Sequence, residues 1–456
     1  MKKSAILLAA VLAMTACGKQ AATDTAEEIN DSTTPLHLLK PDYKTPYGRL
    51  SADTVKADID RVFAYIDEVT PAKMTDGKVN PGTYRLTSYE WGVMYDALLD
   101  ATAATGDKKY ADYVSDRIGF LAREADRYQG DPAEDGQMRQ VKAPATLDDA
   151  GAMAGAWMRA AMADSTLNIA PYIEQYWNIV ETTPVHLPDG TIARNRPHYN
   201  AVWLDDMFMA LPSMAVRSKY ANDPGQLDAA ADIAVGFFKR MWMPEKQIFR
   251  HGYVEGADHQ PSMAWGRANG WAILTMSQLL DFLPENHPRR AEILDTFRKH
   301  AAGLANLQGI DGFWHQLLDR PETYEETSAT AIFAYALAHG INEGWLDPVT
   351  FGPVAQLAWE AVSSKINGKG EVEDVCVGTG MGFEPAYYAY RPVSVKAAHG
   401  YGPTIWAGAE MIRLLNTQHP YVNDSAVHYY KVDPEADADV PLFSLDSNGK
   451  AVKVVH

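Results

Sequence analysis

Apolar residues recur along this chain at the three- and four-residue spacing of helices that are buried on one side. The clearest example is the segment 52–68, in which Val55, Ile59, Val62, Phe63 and Ile66 form a single stripe. Proline and glycine separate the repeated segments, and few stretches show the alternating pattern of strands. About twelve segments are predicted to be helices: 52–68, 88–104, 108–128, 148–163, 167–181, 203–220, 226–242, 266–283, 289–307, 325–344, 350–364 and 401–416.

Antiparallel helices in this number can close into two concentric rings, with six helices inside six. An open superhelix of helix pairs and two separate bundles are the alternatives. The closed ring is favoured because the number of helices is even, because no linker interrupts residues 50–420, and because Trp and Tyr gather near helix starts. We therefore predict an all-α toroid within a single domain at 47–430, followed by a C-terminal tail at 431–456.

The N-terminus has the pattern of an export signal. Two lysines precede the apolar run 5–14, which is shorter than the roughly 20 residues of a membrane-spanning helix. The Met-Thr-Ala-Cys sequence that ends at Cys17 resembles a bacterial lipobox. We predict a signal peptide at 1–16, a lipidated Cys17 and a flexible tether at 17–46. The protein would then be an exported lipoprotein, anchored to a bacterial membrane in the periplasm or at the cell surface. Ordinary signal cleavage with an incidental cysteine is the alternative.

Charge and cysteine content exclude several classes of partner and site. Acidic residues outnumber basic residues by 59 to 41, which gives a formal charge of −18. A field of this sign repels polyphosphate, so we expect no nucleic acid partner. The two cysteines, Cys17 and Cys376, are too few for a disulfide scaffold or a Cys-rich zinc site.

Sequence motifs of several common enzyme classes are missing. The chain contains no HExxH zinc motif, no phosphate-binding GxxxxGKS/T loop and no GxSxG nucleophile turn. The glycine-rich run 378–382 lacks the flanking strand and helix of a dinucleotide site, and the histidines do not pair at metal-binding spacing. We therefore predict neither a metal nor a cofactor. The remaining carboxylate, His, Arg and aromatic residues, placed outside the cytoplasm, indicate carbohydrate chemistry.

Polar, charged and aromatic residues crowd into short stretches at predicted helix starts. These stretches are WLDDMFM at 203–209, WGRANGW at 265–271, FWHQLLD at 313–319 and YEETSAT at 324–330. In this order they resemble signatures of the family-105 glycoside hydrolases, the unsaturated rhamnogalacturonyl hydrolases, which are related to the family-88 unsaturated glucuronyl hydrolases. The resemblance covers roughly residues 50–415. It implies an (α/α)6 barrel, in agreement with the number of helices.

The resemblance also implies a substrate and a reaction. The substrate is an oligosaccharide that a polysaccharide lyase has left with a terminal 4,5-unsaturated uronic acid, whose C4=C5 bond is a vinyl ether. Protonation of C4 creates positive charge at C5, which the ring oxygen stabilises. Water then adds at C5, and the resulting hemiketal opens and expels the leaving sugar. This hydration differs from the ordinary two-carboxylate mechanism of glycosidases.

Several alternatives remain open at this point. The expected leaving sugar is rhamnose from pectic rhamnogalacturonan, and sulfated rhamnose from ulvan, or another uronate-containing oligosaccharide, is the second candidate. A non-catalytic glycan-binding lipoprotein could use the same barrel. So could a polysaccharide lyase or a hydrolase of saturated glycosides. Oligomeric state cannot be predicted from this sequence.

Asp205 matches the catalytic aspartate of the family in WLDDMFM. Its carboxyl group could first donate a proton to carbon and then accept one from water, provided that burial raises its pKa towards the working pH. The neighbouring charge of Asp206 would raise the pKa of Asp205 further, although Asp206 leaves the helix about 100° away. The alternative is that one of these two residues only caps the helix.

Four other residues match the family's substrate-binding positions. Asp148 would hold sugar hydroxyls, although the doublet with Asp149 leaves the register open by one residue. His251 would line the sugar site. Arg267 and Trp271 are four residues apart and share a helix face, so that arginine would bind the substrate carboxylate and tryptophan would stack on the sugar ring. Packing in the protein core is the alternative for Trp271.

Overall fold

The computed structural model describes residues 50–422, 427–431, 440–441, 444–445 and 451–452. Within these residues, the chain forms twelve long helices and two short ones. The long helices are α1 Ala52–Val69, α2 Tyr89–Thr105, α3 Lys109–Arg127, α5 Leu147–Ala163, α6 Ala170–Thr182, α7 Asp205–Tyr220, α8 Pro224–Met241, α9 Gly266–Phe282, α10 Arg290–Ala305, α11 Thr327–Asn342, α12 Pro348–Ser364 and α14 Tyr401–Thr417. The short helices are α4 Gly136–Lys142 and α13 Pro385–Ala389.

The twelve predicted helices coincide with the twelve long ones. Their bounds differ by three residues at most, and the largest difference is the start of α6 at Ala170 instead of 167. The sequence pattern did not predict α4 and α13. Both are shorter than two turns, which is too short for a repeating apolar stripe.

The long helices form two concentric rings. The inner ring consists of α2, α5, α7, α9, α11 and α14, in which each helix packs against the next and α14 closes against α2. Each of α1, α3, α6, α8, α10 and α12 packs outside one inner helix. The fold is therefore the predicted (α/α)6 barrel.

Burial distinguishes the two rings. The outer helix α1 buries four of the five residues of its predicted stripe, and Phe63 is half-buried. By contrast, every residue of the inner helix α11 from Thr327 to Ile341 is buried. A helix that is apolar on all sides belongs in the interior. Glycine permits the closest approach between inner helices, because a Cβ atom on Gly151 of α5 would lie 1.6 Å from the Met209 carbonyl oxygen of α7.

Long connections gather at one end of the barrel. Inner and outer helices alternate along the chain, so all inner helices run in the same direction and begin at this end. The connections that lead into them carry short antiparallel strand pairs. These are β1 Met74–Thr75 with β2 Lys78–Val79, β3 Val185–His186 with β4 Ile192–Ala193, β5 Ala201–Trp203 with β8 Gly252–Val254, and β6 Trp242–Met243 with β7 Ile248–Phe249.

Strands also follow the last helix. After α14 ends at Thr417, β9 Gln418–Val422, β10 Val427–Lys431 and β11 Val440–Pro441 form an antiparallel sheet, and β12 Ser444–Leu445 pairs with β13 Ala451–Val452. The predicted domain limits at 430 and 431 stay predictions. The signal peptide at 1–16, the tether at 17–46 and Cys17 lie outside the described residues. In the described part of the chain, no helix has both the length and the apolar content to cross a membrane.

Candidate active site

Ionisable side chains from the starts of the inner helices face one another at the end of the barrel that carries the long connections. Burial raises the pKa of the Tyr89 hydroxyl on α2, and the charges of Glu90, Arg267, Asp148 and Asp205 act on the same group. Asp148, Asp205 and Arg267 belong to α5, α7 and α9. These helix N-termini also contribute partial positive charge, which favours an anionic ligand.

Asp205 and His251 form the central pair of this site. The Nε2 atom of His251 lies 2.8 Å from Oδ2 of Asp205. The strand pair β5–β8 brings the two residues together, because Asp205 follows β5 and His251 precedes β8, and the Leu204 amide donates to the His251 carbonyl at 2.9 Å. His251 is fully buried, whereas the Asp205 side chain is 14% exposed. The carboxylate is therefore the member of the pair that a ligand can reach.

The pKa of Asp205 is lowered, which contradicts the expected increase. Burial acts to raise this pKa, but the His251 ring and the Arg194 guanidinium oppose it and hold the pKa below its usual value. Asp205 is therefore ionised in the free enzyme. The prediction of a raised pKa is wrong for this state because it considered burial and Asp206 but neither the bond from His251 nor the charge of Arg194.

Asp206 has a different environment from Asp205. Its side chain is fully buried, and Nε of Arg194 donates to both of its carboxylate oxygens, at 3.0 and 2.8 Å. Burial raises the pKa of Asp206, although Arg194 opposes this effect. Neither aspartate caps α7 through its side chain, since Leu204 occupies the N-cap position without a side-chain bond. The two side chains leave the helix in different directions, as predicted.

The structure separates the Asp148–Asp149 doublet. Asp149 accepts hydrogen bonds from two guanidinium nitrogens of Arg139 at 3.2 and 3.0 Å, and from the Ala145 amide at 3.0 Å. Asp148 instead accepts from Arg194 at 3.0 and 2.6 Å, and its side chain remains 36% exposed. Asp148 is therefore the member that is available to a ligand, while Asp149 supports the local fold.

Arg194 and Arg196 are site residues that sequence reasoning missed. Arg194 bridges Asp206 and Asp148, and both guanidinium groups lie over the Trp203 ring, at 4.9 and 4.8 Å from its centre. Arg196 is 62% exposed and has one ion contact, at 3.5 Å from Asp148. Both arginines line a cavity of about 300 Å³ together with Asp148. They lie in a connection without a motif, so spacing gave no signal for them.

Arg267 is deeply buried and already well bonded. One terminal nitrogen donates to the Cys376 carbonyl at 2.7 Å and to Oγ of Ser328 at 3.2 Å. The other donates to the Val377 carbonyl at 2.8 Å. Its side chain is 1% exposed. Arg267 thus brings positive charge to the site and holds the 376–377 segment against the barrel.

Trp271 lies in the core of the inner ring. It is 1% exposed, and its ring stacks on Phe208 of α7 with centroids 4.6 Å apart and an interplanar angle of 19°. This placement favours the core-packing alternative over stacking on a sugar.

Two further residues of the site have identifiable contacts. Glu326 accepts hydrogen bonds from the Cys376 amide at 2.8 Å and from Ser328 and Ala329, so it joins the start of α11 to the segment that Arg267 also holds. The Tyr388 hydroxyl contacts Nδ1 of His251, on the side of the ring opposite Asp205. Glu326 belongs to the stretch YEETSAT at 324–330, whereas Tyr388, in the short helix α13, lies outside every motif that the sequence analysis identified.

Among the residues that the structure describes, no three His, Cys, Asp or Glu side chains are grouped to hold a metal ion. The expectation that no metal is required stays a prediction.

Comparisons with curated proteins give partial matches. An unsaturated 3S-rhamnoglycuronyl hydrolase of Alteromonas sp. is 28% identical over 223 residues, which are 46% of this chain and 51% of the relative. The unsaturated rhamnogalacturonyl hydrolase YesR of Bacillus subtilis is 32% identical over 160 residues, which are 35% of this chain and 44% of the relative. The chain thus spans about half the length of the curated relatives that it matches.

Solved structures and a family model match a larger share of the chain. A possible GH105 member from Salmonella enterica superposes with a TM-score of 0.68 at 21% identity, and the match covers 82% of this chain and 97% of that one. An unsaturated glucuronyl hydrolase from Bacillus sp. GL1 gives a TM-score of 0.54 at 15% identity, over 78% and 96% of the two chains. The model of Glycosyl Hydrolase Family 88 matches residues 62–415. The resemblance seen in the motifs is thereby confirmed, and the chain belongs to Glycosyl Hydrolase Family 88.

Proposed function

We propose that this protein removes the terminal 4,5-unsaturated uronic acid from lyase-generated oligosaccharides by hydration of its vinyl ether. The observation that carries the proposal is the Asp205–His251 pair, whose carboxylate faces the end of the barrel where the inner helices begin. Family membership supports the same assignment. The relatives from Alteromonas and Bacillus subtilis are named for this class of reaction.

Substrate binding supplies the condition under which Asp205 takes up its proton. The uronate brings a second negative charge beside Asp205 and displaces water, and both effects raise the pKa of a carboxyl group. Protonated Asp205 then donates its proton to C4, and positive charge develops at C5 and the ring oxygen. The resulting carboxylate accepts a proton from the water that adds at C5. The hemiketal opens, the leaving sugar departs, and Asp205 again carries a proton.

Charged groups at this end of the barrel suit an anionic sugar. Asp148 is exposed enough to accept hydrogen bonds from sugar hydroxyls, and the inner helix N-termini attract the uronate carboxylate. Contact between Arg267 and this carboxylate stays a prediction, because both terminal nitrogens of Arg267 already donate hydrogen bonds to backbone carbonyls of the protein. Its Nε atom is buried and has no hydrogen-bond partner in the described part of the chain.

Rhamnose from pectic rhamnogalacturonan is the proposed leaving sugar, and sulfated rhamnose from ulvan is the second candidate. The observation that favours a sulfated sugar is Arg196, whose exposed guanidinium lines the cavity beside Asp148. Arginine recognises sulfate and other planar or tetrahedral oxyanions by charge-assisted hydrogen bonds. Comparison of kcat/KM for the two disaccharides, in wild type and in Arg196→Ala, distinguishes the candidates. In Arg196→Ala, kcat/KM should fall for the sulfated disaccharide and stay unchanged for the other one.

The reaction itself can be tested in D2O on a panel of lyase-generated disaccharides. We expect the ultraviolet absorbance of the conjugated double bond to disappear and the released uronate to carry deuterium at C4. New unsaturation from intact polymer would indicate a lyase instead. Binding without turnover on the whole panel would indicate a glycan-binding protein.

We also propose that the mature protein is an exported lipoprotein held to a bacterial membrane through Cys17. The support is the signal-like N-terminus and the lipobox-like sequence before this cysteine.

A further inference from the structure

Tyr388 lies directly behind the catalytic pair. It belongs to the short helix α13 and is fully buried. Its hydroxyl oxygen is 2.6 Å from Nδ1 of His251, on the opposite side of the ring from Asp205. The Gly382 amide donates to the same hydroxyl at 2.9 Å. Tyr388 therefore connects the 378–382 segment with the imidazole, without reaching the substrate itself.

The Tyr388 hydroxyl has two acceptors within reach. Its oxygen accepts a hydrogen bond from the Gly382 amide, and its own hydrogen can go to Nδ1 of His251 at 2.6 Å or to the Gly382 carbonyl at 3.4 Å. Nδ1 is the nearer of the two, and burial raises the pKa of Tyr388, so this hydroxyl keeps its proton. A hydroxyl that donates to Nδ1 leaves the imidazole proton on Nε2, where it is donated to Asp205.

We propose that Tyr388 is a positioning residue that selects the Nε2–H tautomer of His251 and thereby orients the Asp205 carboxylate. This inference rests on the proposed function and adds a residue that the family assignment does not supply. The opposite tautomer would place a lone pair of Nε2 against the carboxylate, and the bond that holds Asp205 would be lost. Asp205 could then rotate away from C4 of the substrate.

The surroundings of His251 leave few other groups to perform this task. Among the described residues, the titratable groups bonded to the ring are Asp205 from α7 and Tyr388 from α13. The indole rings of Trp203 and Trp265 pack at 6.1 and 4.7 Å from the imidazole centre. Neither offers a hydrogen bond to Nδ1. Removal of the Tyr388 hydroxyl should therefore leave neither tautomer of His251 selected.

Tyr387 provides a matched control. It is the adjacent residue of α13, and its hydroxyl accepts a hydrogen bond from the Gly380 amide at 3.2 Å. It therefore supports the same 378–382 segment but makes no hydrogen bond to His251. Tyr387→Phe and Tyr388→Phe remove one hydroxyl each from this segment, and only the second change also removes the donor to Nδ1.

The kinetic test uses the full chain and the disaccharide that wild type cleaves best. For Tyr388→Phe we expect kcat to fall about tenfold to hundredfold, below the full acid–base contribution of about 10² to 10⁴, with KM nearly unchanged. The kcat–pH profile should also change, because the ring of His251 is no longer held in the tautomer that donates to Asp205. Tyr387→Phe should keep the wild-type profile. Equal losses in both variants without a change in profile, or a wild-type profile in Tyr388→Phe, would overturn the proposal.

A second test does not depend on activity and reads the tautomer in wild type itself. In ¹⁵N-histidine-labelled wild type, nitrogen chemical shifts distinguish the two tautomers, and His251→Gln assigns the signal. We expect a protonated Nε2 and an unprotonated Nδ1, and a protonated Nδ1 would refute the assignment. If wild type cleaves none of the disaccharides, the proposed function fails, while this spectrum still decides the tautomer.

Discussion

Asp205 and Asp206 are neighbours in sequence, yet their carboxylates meet opposite conditions. The first is partly exposed and has a lowered pKa beside His251 and Arg194. The second is fully buried, accepts hydrogen bonds from Arg194 and has a raised pKa. One residue is thus accessible for chemistry, and the other anchors the arginine that also holds Asp148.

Asp206→Asn should reduce stability more than catalysis. The substitution keeps the shape of the side chain but removes the buried negative charge that balances Arg194, so the free energy of unfolding should fall by about 1–3 kcal/mol. Urea unfolding of wild type and variant measures this difference. A variant with wild-type stability would show that the Arg194–Asp206 pair does not stabilise the fold.

Trp271 should behave as a core residue. Trp271→Phe removes part of a ring that stacks on Phe208, and a decrease in stability of about 1 kcal/mol is typical of such a change. KM should not change, because the buried ring has no open face for a sugar. An increase in KM at unchanged stability would favour the original prediction of sugar stacking.

The motifs predicted which residues belong to the candidate site better than they predicted the surroundings of those residues. The motifs pointed to Asp205, Asp148 and His251, which the structure places at one end of the barrel. They gave no sign of Arg194 and Tyr388, because these residues lie in connections that carry no recognisable motif. The raised pKa predicted for Asp205 was based on burial and on Asp206, and nothing in the spacing showed that His251, 46 residues away in the chain, bonds to this carboxylate.

At the scale of elements, the spacing of apolar residues predicted the long helices, because each outer helix faces water on one side and the inner ring on the other. The inner helices have only a weak amphipathic pattern. The polar residues at their N-terminal ends indicated where these helices begin. The short helices and strand pairs of the long connections lack enough residues for a pattern. These connections nevertheless carry His251, Arg194 and Tyr388.

The contact between α5 and α7 can be tested with two glycines of one helix. Gly151→Ala places a Cβ 1.6 Å from the Met209 carbonyl oxygen, and overpacking of this kind costs about 1–3 kcal/mol. Gly155→Ala meets nothing closer than 3.6 Å, at Ser213, and should gain up to about 1 kcal/mol from helix propensity. Thermal unfolding of both variants measures the difference. Equal melting temperatures would contradict the described packing.

At the scale of the whole molecule, a protein with a formal charge of −18 is proposed to bind an anionic sugar. Arg194, Arg196 and Arg267, together with the inner helix N-termini, bring cationic groups to an end of the barrel that also carries Asp148, Asp205 and Asp206. The closed ring produces this arrangement, because the alternation of inner and outer helices puts every inner N-terminus at the same end. An acidic protein thus gathers groups of both signs at the proposed site.

The membrane anchor gives a prediction for the intact protein. If Cys17 is lipidated, mass spectrometry of protein from a bacterial host should find a mature N-terminus at an acylated Cys17. Cys17→Ser should release the protein from the membrane fraction while leaving kcat unchanged, since the barrel begins at Ala52. A mature N-terminus at another residue would contradict the anchor.

Replacement of Asp205 tests the central claim most directly. Asp205→Asn keeps the shape of the side chain but cannot exchange a proton, so kcat on the unsaturated disaccharide should fall by about 10² to 10⁴, with substrate binding retained. Asp148→Asn should have an intermediate effect that includes a higher KM, and Asp206→Asn should retain most of kcat. If Asp205→Asn keeps more than about a tenth of wild-type kcat while Asp206→Asn is inactive, the catalytic position is displaced by one residue. If both variants remain active, neither aspartate is the proton donor and the proposed mechanism is contradicted.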